Sequence, residues 1–238
     1  MNAAAPPSPP AARLRPRDAA TLVIVDHTGR EPRILMGRRR PDQVFLPNTY
    51  VFPGGRVEAS DRAAARHHAL APRESACVQR HMPGKPSDRR ASALALAALR
   101  ETYEETGVLV GTSGDIGGDS LTWAAQLDAG FTPGLTRLTY LARAITPPAR
   151  PRRYDTRFFI VEASAIAHQA PRTDGELLDI GWFAIAEAQR LALPSITRHI
   201  LEDIAAYVRL PAARRPALAV PFYAHRRGLL ERTLLERP

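Results

Sequence analysis

Apolar and polar positions along this chain predict strands and helices in mixed order. An apolar, β-branched run extends from Ala19 to Val25, and a second run, Arg33 to Arg39, follows after the turn-like segment 26–29. Short runs of this kind, bounded by turn residues, are typical of strands. The two runs therefore predict a hairpin or two neighbouring strands.

The same pattern predicts further elements downstream. The additional predicted strands are Tyr50 to Phe52, Thr136 to Ile145, Thr156 to Glu162 and Ile180 to Phe183. The predicted helices, besides the one described next, are Glu74 to His81, Ile185 to Leu191 and Ser195 to Val208. Pro194 followed by Ser195 is a helix start signal. The pattern assigns no element to residues 211–238.

One further helix has two different faces. Leu96, Leu99 and Tyr103 recur at i, i+3 and i+7, which is the spacing of an apolar stripe that packs against a sheet. Gly107 follows as a residue that tolerates the left-handed conformation in which helices end. This pattern predicts a helix that lies on a sheet and ends at Gly107.

Three carboxylates share the other face of that helix. Glu101, Glu104 and Glu105 lie at i, i+3 and i+4, so their like charges repel. A solvated acidic face is one reading, but glycines before and after the helix favour a divalent cation site. Ligands that are all oxygen suit Mg²⁺ or Mn²⁺ better than zinc.

Two segments together resemble a known motif. Residues 51–55 read Val-Phe-Pro-Gly-Gly and residues 100–108 read Arg-Glu-Thr-Tyr-Glu-Glu-Thr-Gly-Val. They resemble the Nudix box, G-x5-E-x7-R-E-U-x-E-E-x-G-U, in which U is aliphatic. Two residues depart from it, since Asp61 replaces a Glu and Thr102 fills an aliphatic position. The seven-residue spacer is also longer, because residues 62–92 form an insertion.

The resemblance extends from about Asp18 to Tyr207 and implies a fold. Nudix proteins have an α/β fold, an α/β/α sandwich around a mixed sheet, and not a Rossmann fold. We therefore expect a disordered Pro/Ala-rich tail at 1–16, a Nudix hydrolase domain at 17–210 with the insertion at 62–92, and a C-terminal extension at 211–238.

The resemblance also implies a metal site with Mg²⁺ or Mn²⁺. Glu101 and Glu105 are the first candidate ligands, Glu104 is a third, and the backbone carbonyl of Gly55 is an additional one. Any of the glutamates could instead be the catalytic base that deprotonates water.

A base could also come from a later loop. Glu176 precedes the predicted last strand and is either such a base or a solvated loop residue. Arg100 would orient Glu101, Glu104 or Asp61 through charge-assisted hydrogen bonds, and Asp61 would then be structural.

Substrate choice is less constrained by the sequence. The segment from Arg38 to Gly55 and the insertion resemble the Nudix branch of peroxisomal coenzyme A diphosphatases, although the full coenzyme A signature is absent. Arg38 and Arg39 could bind phosphate oxygens or be exposed strand charges. Gly54 allows close approach of the backbone to a phosphate. The aromatic residues that could stack on an adenine or belong to the core are Phe45, Tyr50 and Phe52.

Composition narrows the alternatives. The 238 residues carry a net charge of +9, but the basic residues are scattered and Lys85 is the single lysine, so we expect no dedicated nucleic-acid binding. No apolar stretch is long enough for a membrane span. Cys77 is the single cysteine, which fits a cytoplasmic location. A homodimer is compatible with the sequence.

These observations predict a metal-dependent pyrophosphohydrolase for a small diphosphate substrate, with coenzyme A or acyl-CoA leading. ADP-ribose, a dinucleotide or a nucleotide sugar is the alternative. A Nudix-fold binding or regulatory protein without catalysis is a different class. We also expect the 62–92 insertion to wall or cover the pocket and select the substrate.

Overall fold

Strand β1 lies at the centre of the protein, and the other elements are arranged around it. The structure is a computed structural model and describes residues 14–44, 46–112, 122–148, 150–170 and 175–238. Most of the expected tail, residues 1–13, lies outside these ranges. The strands are β1 (Arg17–Asp26), β2 (Arg33–Arg39), β3 (Tyr50–Val51), β4 (Gly54–Arg56), β5 (Val108–Thr112), β6 (Thr132–Pro133), β7 (Thr139–Ile145), β8 (Tyr154–Glu162), β9 (Ile166–Gln169), β10 (Leu177–Ala184), β11 (Val220–Arg226) and β12 (Leu229–Leu235).

Six α-helices connect these strands in the described part of the chain. They are α1 (Ala59–Ala64), α2 (Pro72–Arg80), α3 (Asp88–Thr106), α4 (Trp123–Asp128), α5 (Ile185–Ala188) and α6 (Ser195–Arg209). Short 3₁₀ turns occupy Leu135–Arg137, Ala163–Ala165 and Ala212–Ala217. None of these helices is both long and apolar enough to cross a membrane.

The main sheet is mixed. Its strand order is β10-β2-β1-β8-β7-β11-β12, with β3 paired to β2 and β4 paired to β1. The pairs β1–β8 and β7–β11 are parallel, and the other pairs are antiparallel. A smaller sheet has the order β6-β5-β9. The parallel β1–β8 pair brings the starts of two strands to the same edge of the sheet, beside the site described below.

The sheet is covered on both faces. Ala20, Leu22 and Ile24 of β1 are buried on the face that packs against α3, whereas Val23 and Val25 are buried on the face that packs against α6. Successive residues of a strand point to opposite faces, so a continuous apolar strand can bury both. The expected α/β/α sandwich around a mixed sheet is confirmed.

Helix α3 is held at both ends. At its start, the Ser87 hydroxyl accepts a hydrogen bond from the Arg90 amide at 3.2 Å, which satisfies one of the amides that lack a partner within the helix. At its end, Gly107 takes a left-handed φ of 75° and its amide donates to Tyr103 O. The predicted stripe of Leu96, Leu99 and Tyr103 is buried as expected.

The insertion and the C-terminal extension contact each other. The extension forms β11 and β12, which widen the main sheet beyond β7. In helix α2 of the insertion, Glu74 accepts a hydrogen bond from the Tyr140 amide at 2.6 Å and forms an ion pair with Arg237 at 2.9 Å. The side chains of Arg237 and Glu74 are 6% and 9% exposed. A buried ion pair therefore joins two segments that are distant in sequence.

Candidate functional site

An open cleft of about 700 Å³ lies along β1 and β4. One end is formed by the C-terminal half of α3 and by Gly54 and Gly55 of β4. The other end is formed by the chain segments that begin β1 and β8. The cleft is therefore bounded by acidic residues at one end and, as shown below, by basic residues at the other.

Helix α3 presents its three glutamates to the cleft with unequal exposure. Glu101, Glu104 and Glu105 all line the cleft. Glu105 is buried and Glu101 is only partly accessible, whereas the Glu104 side chain is 41% exposed. The i, i+3, i+4 spacing thus places three carboxylates at one end of the cleft, and two of them are largely shielded from water.

Arg100 is the hub of an ionic network at that end. Its Nε and Nη2 donate to the two carboxylate oxygens of Asp61 at 2.9 and 3.2 Å. Nη1 donates to Glu104 Oε2 at 2.7 Å, and Nη2 donates to Glu101 Oε1 at 3.0 Å. The Arg56 carbonyl accepts a further bond from Nη2 at 2.9 Å. A single buried guanidinium thus fixes three carboxylates and the backbone of β4.

Asp61 is structural in this arrangement. Its side chain is fully buried in the short helix α1, where Oδ2 accepts a hydrogen bond from the Glu58 amide at 2.8 Å. Its other contact is the paired bond to Arg100. The shorter carboxylate at this motif position therefore anchors the start of the insertion to α3, and it does not line the cleft.

The two glycines that begin β4 contact the glutamates through their backbone. The Gly54 amide donates to Glu105 Oε2 at 2.9 Å. Gly55 pairs with Ala20 of β1, and a Cβ atom at Gly55 would overlap the Glu101 carboxylate. A side chain at residue 55 would therefore displace the Glu101 carboxylate, because the backbone of β4 and the carboxylates of α3 lie in direct contact.

At the acidic end of the cleft, burial and neighbouring negative charges destabilise the charged form of the carboxylates. Burial raises the pKa of Glu101 to about 7, against the opposing effect of Arg100. Burial, and next the charge of Glu101, raises the pKa of Glu105 well above its usual value. Burial alone would lower the pKa of Arg100, but its hydrogen bond to Asp61 and the neighbouring glutamates raise it. A bound cation would offset this excess of negative charge.

The candidate ligand atoms match a hard cation in their chemistry, but they are not gathered around one point. All of them are oxygens, as Mg²⁺ and Mn²⁺ prefer. Within the described residues, however, no three His, Cys, Asp or Glu side chains are gathered closely enough to hold an ion. The reason is that Arg100 binds Glu101 and Glu104, while the Gly54 amide binds Glu105. The expected convergence of three carboxylates is thus replaced here by three separate contacts.

Glu176 and Arg39 lie on the side of the cleft that faces Glu105. Both line the cleft, and both contribute to the electrostatic surroundings of Glu105. Gln43 Nε2 donates to Glu176 Oε2 at 3.2 Å and to the Glu176 carbonyl at 3.3 Å. The exposed Glu176 carboxylate is therefore held at the cleft by a loop that the sequence did not connect to it.

Two of the predicted substrate contacts lie outside the cleft. Arg38 Nε donates to Asp179 at 2.7 Å and Nη1 donates to Asn48 at 3.1 Å. The Tyr50 ring packs edge-on against Phe183 at 5.5 Å between centroids. Neither residue lines the cleft. Side chains alternate along β2, so Arg39 takes the inward position and Arg38 does not. Arg38 and Tyr50 therefore make structural contacts outside the cleft, contrary to the prediction that they bind substrate.

The remaining predicted contacts divide between cleft and core. Arg39 and Gly54 line the cleft. Phe52 also borders it, but Phe52 is 5% exposed and belongs to the core beside α6. The core reading is therefore the better one for Phe52. Phe45 lies outside the described residues.

The basic end of the cleft was not predicted from the sequence. Arg15, Arg17, Arg152 and Arg153 line it, together with Tyr154. The available signal was that basic residues immediately precede or begin two predicted strands. That signal becomes meaningful only once β1 and β8 are known to be parallel neighbours.

The insertion does not cover the cleft. All of residues 62–92 are described, and none of them lines it. Instead, α2 packs on α3 and β7, and the Arg143 guanidinium donates to the His81 carbonyl at 2.6 Å. The expectation that the insertion walls the pocket is wrong, because its buried apolar residues pack in the core that α3 shares with the sheet.

Known proteins resemble this chain in sequence and in structure. No family model matches the chain. A curated protein of Caenorhabditis elegans, "Putative nudix hydrolase 7", is 27% identical over 157 residues. The match covers 61% of this chain and 44% of that protein, so the chain spans less than half the length of the curated relative.

A solved structure is more similar over a larger share of both chains. The crystal structure of a NUDIX hydrolase from Alicyclobacillus acidocaldarius superposes with a TM-score of 0.62 and 30% sequence identity. The alignment covers 82% of this chain and 93% of the other. The likeness thus extends over nearly all of that chain.

Proposed function

Because the chain belongs to the Nudix hydrolase superfamily, we propose that it is a metal-dependent pyrophosphohydrolase that cleaves a diphosphate linkage in a nucleoside diphosphate derivative. The observation that carries the proposal is the ionic network at the acidic end of the cleft. There, Arg100 binds Asp61, Glu101 and Glu104. A solvated acidic helix face would not require a buried arginine that binds its glutamates.

Divalent cation binding is assigned to the same end. Glu101, Glu105 and the Gly55 carbonyl would hold Mg²⁺ or Mn²⁺, with Glu104 as a further ligand. When bound, the cation neutralises charge on the diphosphate and increases the acidity of water. The raised pKa values of Glu101 and Glu105 support this assignment, since buried carboxylates are stabilised by a cation partner.

The chain's own residues position the reaction. Arg39 lines the cleft beside Glu105 and binds oxygens of the diphosphate. Arg100 positions Glu101 and Glu104 without touching substrate. Glu176 is the candidate base, and it accepts a proton from the attacking water. The water oxygen bonds to one phosphorus, the bond from that phosphorus to the bridging oxygen breaks, and two phosphomonoesters leave.

Coenzyme A or acyl-CoA is the substrate we propose first. The support is the resemblance of residues 38–55 and of the interrupted motif to coenzyme A diphosphatases. Because the insertion lies away from the cleft, it supports this proposal only through its resemblance to the interrupted motif of the coenzyme A diphosphatases. ADP-ribose, dinucleotides and nucleotide sugars are the alternatives.

A screen of these compounds with Mg²⁺ and with Mn²⁺ tests the proposal. We expect mass spectrometry to find two phosphomonoester products, formed only with a divalent cation and not after chelation by EDTA. Binding of the same compounds without cleavage under either cation would instead support a non-catalytic binding protein.

A further inference from the structure

The end of the cleft opposite the glutamates is strongly basic. Arg15 and Arg17 reach it from the start of β1, and Arg152 and Arg153 reach it from the start of β8. The four arginines form two pairs that are more than 130 residues apart in sequence, yet all four line one end of one cleft. Catalysis as proposed above uses none of them.

The parallel pairing of β1 and β8 produces this cluster. Arg17 is opposite Tyr154 in the register, and the Arg17 amide donates to the Arg153 carbonyl at 2.9 Å. Parallel strands that start side by side place their leading residues at one edge of the sheet. The strand pairing therefore fixes Arg17 beside Arg153, and Arg15 and Arg152 lie in the segments that lead into the two strands.

The charge of this end is poorly compensated. Arg153 donates to the Leu14 and Thr146 carbonyls at 2.6 and 3.1 Å, which positions it without neutralising it. Among the residues that the structure describes, no carboxylate forms an ion pair with Arg15, Arg17 or Arg152. Two carboxylates lie nearby but are paired elsewhere. Asp18 is bound by Arg90 and Arg157 at 3.1 Å, and Glu58, which also lines the cleft, lies 4.0 Å from Arg56.

The register also gives the separation between the two ends. Gly55 pairs with Ala20, and Arg17 is three positions earlier on the same strand. At ~3.3 Å per residue, Arg17 begins about 10 Å from the level of Gly55. That separation is comparable to the length of a nucleoside, and it is too large for the two phosphates of one diphosphate group to span.

We propose that Arg17 and Arg152, with Arg15 and Arg153, bind a second phosphate that the substrate carries on its nucleoside, away from the diphosphate that is cleaved. This inference rests on the proposed function, because it specifies the substrate class of the same cleft. Guanidinium groups suit a terminal phosphate, which offers several acceptor oxygens to their paired donors.

A calorimetric titration with three ligands tests the position of the second phosphate. AMP, adenosine 3′,5′-bisphosphate and the α,β-methylene analogue of ADP are titrated into the full chain in the presence of Mg²⁺. The last two ligands carry an added phosphate, but at opposite places. We expect the bisphosphate to bind at least about tenfold more tightly than AMP, as additional charge-assisted hydrogen bonds allow.

The variants are matched in charge. The double variant Arg17→Gln, Arg152→Gln should reduce the bisphosphate-to-AMP affinity ratio to near one, with a smaller change in the ratio for the methylene analogue. Arg209→Gln, Arg214→Gln removes two exposed arginines that do not line the cleft, and it should keep the wild-type ratio. All four positions are exposed, so the folded state is retained, which circular dichroism verifies.

Three results would overturn the proposal. The first is equal affinity of the wild-type chain for AMP and the bisphosphate, and the second is an unchanged bisphosphate-to-AMP affinity ratio in the Arg17, Arg152 double variant. The third is an equal loss of affinity for the methylene analogue in that variant, which would indicate a diffuse positive field. None of the three ligands has a cleavable diphosphate linkage. The titration therefore gives its answer even if the compound screen finds no hydrolysis, and the two proposals fail separately.

Discussion

The most buried of the three glutamates should separate catalysis from folding. In Glu105→Gln the amide oxygen can still accept the Gly54 hydrogen bond, while the buried negative charge is lost. We expect kcat/KM to fall by about 10²-fold or more, the scale seen when a charge-stabilising group is removed. The free energy of unfolding should hold or rise, because burial disfavours the Glu105 carboxylate.

The measurements are steady-state kinetics and urea unfolding, with Glu202→Gln as the control because Glu202 is an exposed glutamate of another helix. Wild-type rates in Glu105→Gln would contradict the metal-site assignment. Glu101→Gln should behave similarly in kinetics. A weaker loss in Glu104→Gln would fit a secondary ligand.

Gly55 should be intolerant of a methyl group for a reason specific to the site. In Gly55→Ala the new Cβ would overlap the Glu101 carboxylate. Because that carboxylate is the flexible end of a side chain, we expect Glu101 to move, and activity to fall by about tenfold or more, as misplacement of a catalytic group does. Gly29→Ala is the control, since its Cβ would meet neighbours only at 3.6 Å or beyond. Equal activity of both variants would contradict the close packing.

For substitution of Glu176, a role as catalytic base and a role as a solvated loop side chain lead to opposite predictions. If Glu176 deprotonates water, Glu176→Gln should lower kcat by about 10²-fold or more. Metal affinity, measured by Mn²⁺ titration, should change little, because Glu176 is not among the proposed ligands. An unchanged kcat would assign the residue to the loop and leave the base among the α3 glutamates.

Helix α2 should affect stability and not selectivity. Val78 is 1% exposed and packs in the core shared by the insertion and α3. Val78→Ala should lower the free energy of unfolding by about 1 to 3 kcal/mol, through lost burial and a small cavity. Val44→Ala should cost little, since Val44 is 74% exposed.

The same variant tests the role that the structure gives to the insertion. Relative kcat/KM values among diphosphate substrates should be unchanged in Val78→Ala, because the insertion does not line the cleft. A shift in substrate preference would mean that the insertion reaches the substrate after all.

Several elements that follow from local pattern were predicted correctly, although the strand predicted from Thr136 begins at Thr139, after a 3₁₀ turn, and the helix predicted to Leu191 ends at Ala188. The strand Arg33–Arg39 has the predicted bounds, and the helix that carries the glutamates ends at Gly107 as expected. The pairing of Asp61 with Arg100 was also among the expected contacts. Each of these depends on residues near in sequence or on a motif whose spacing fixes the geometry.

The parts that depend on register were not predictable. The run Arg38 to Arg40 does not reveal which arginine faces the cleft, because a shift of one residue reverses every side chain of a strand. The basic end of the cleft needs β1 beside β8, and β11 needs β7 as a parallel neighbour. Such pairings join segments far apart in the chain, and apolar patterning within one segment carries no record of its partner.

The ion pair of Glu74 with Arg237 tests whether residues 62–92 and residues 211–238 stabilise the whole molecule together. Each single variant, Glu74→Gln or Arg237→Gln, leaves one buried charge without its partner, so we expect each to lower the free energy of unfolding by about 3 kcal/mol. The double variant should lose less than the sum of the single losses, by about 1 kcal/mol or more, because the partners are in contact. Urea unfolding of the four proteins gives this coupling energy. Strict additivity would mean that the insertion and the C-terminal extension are stabilised independently.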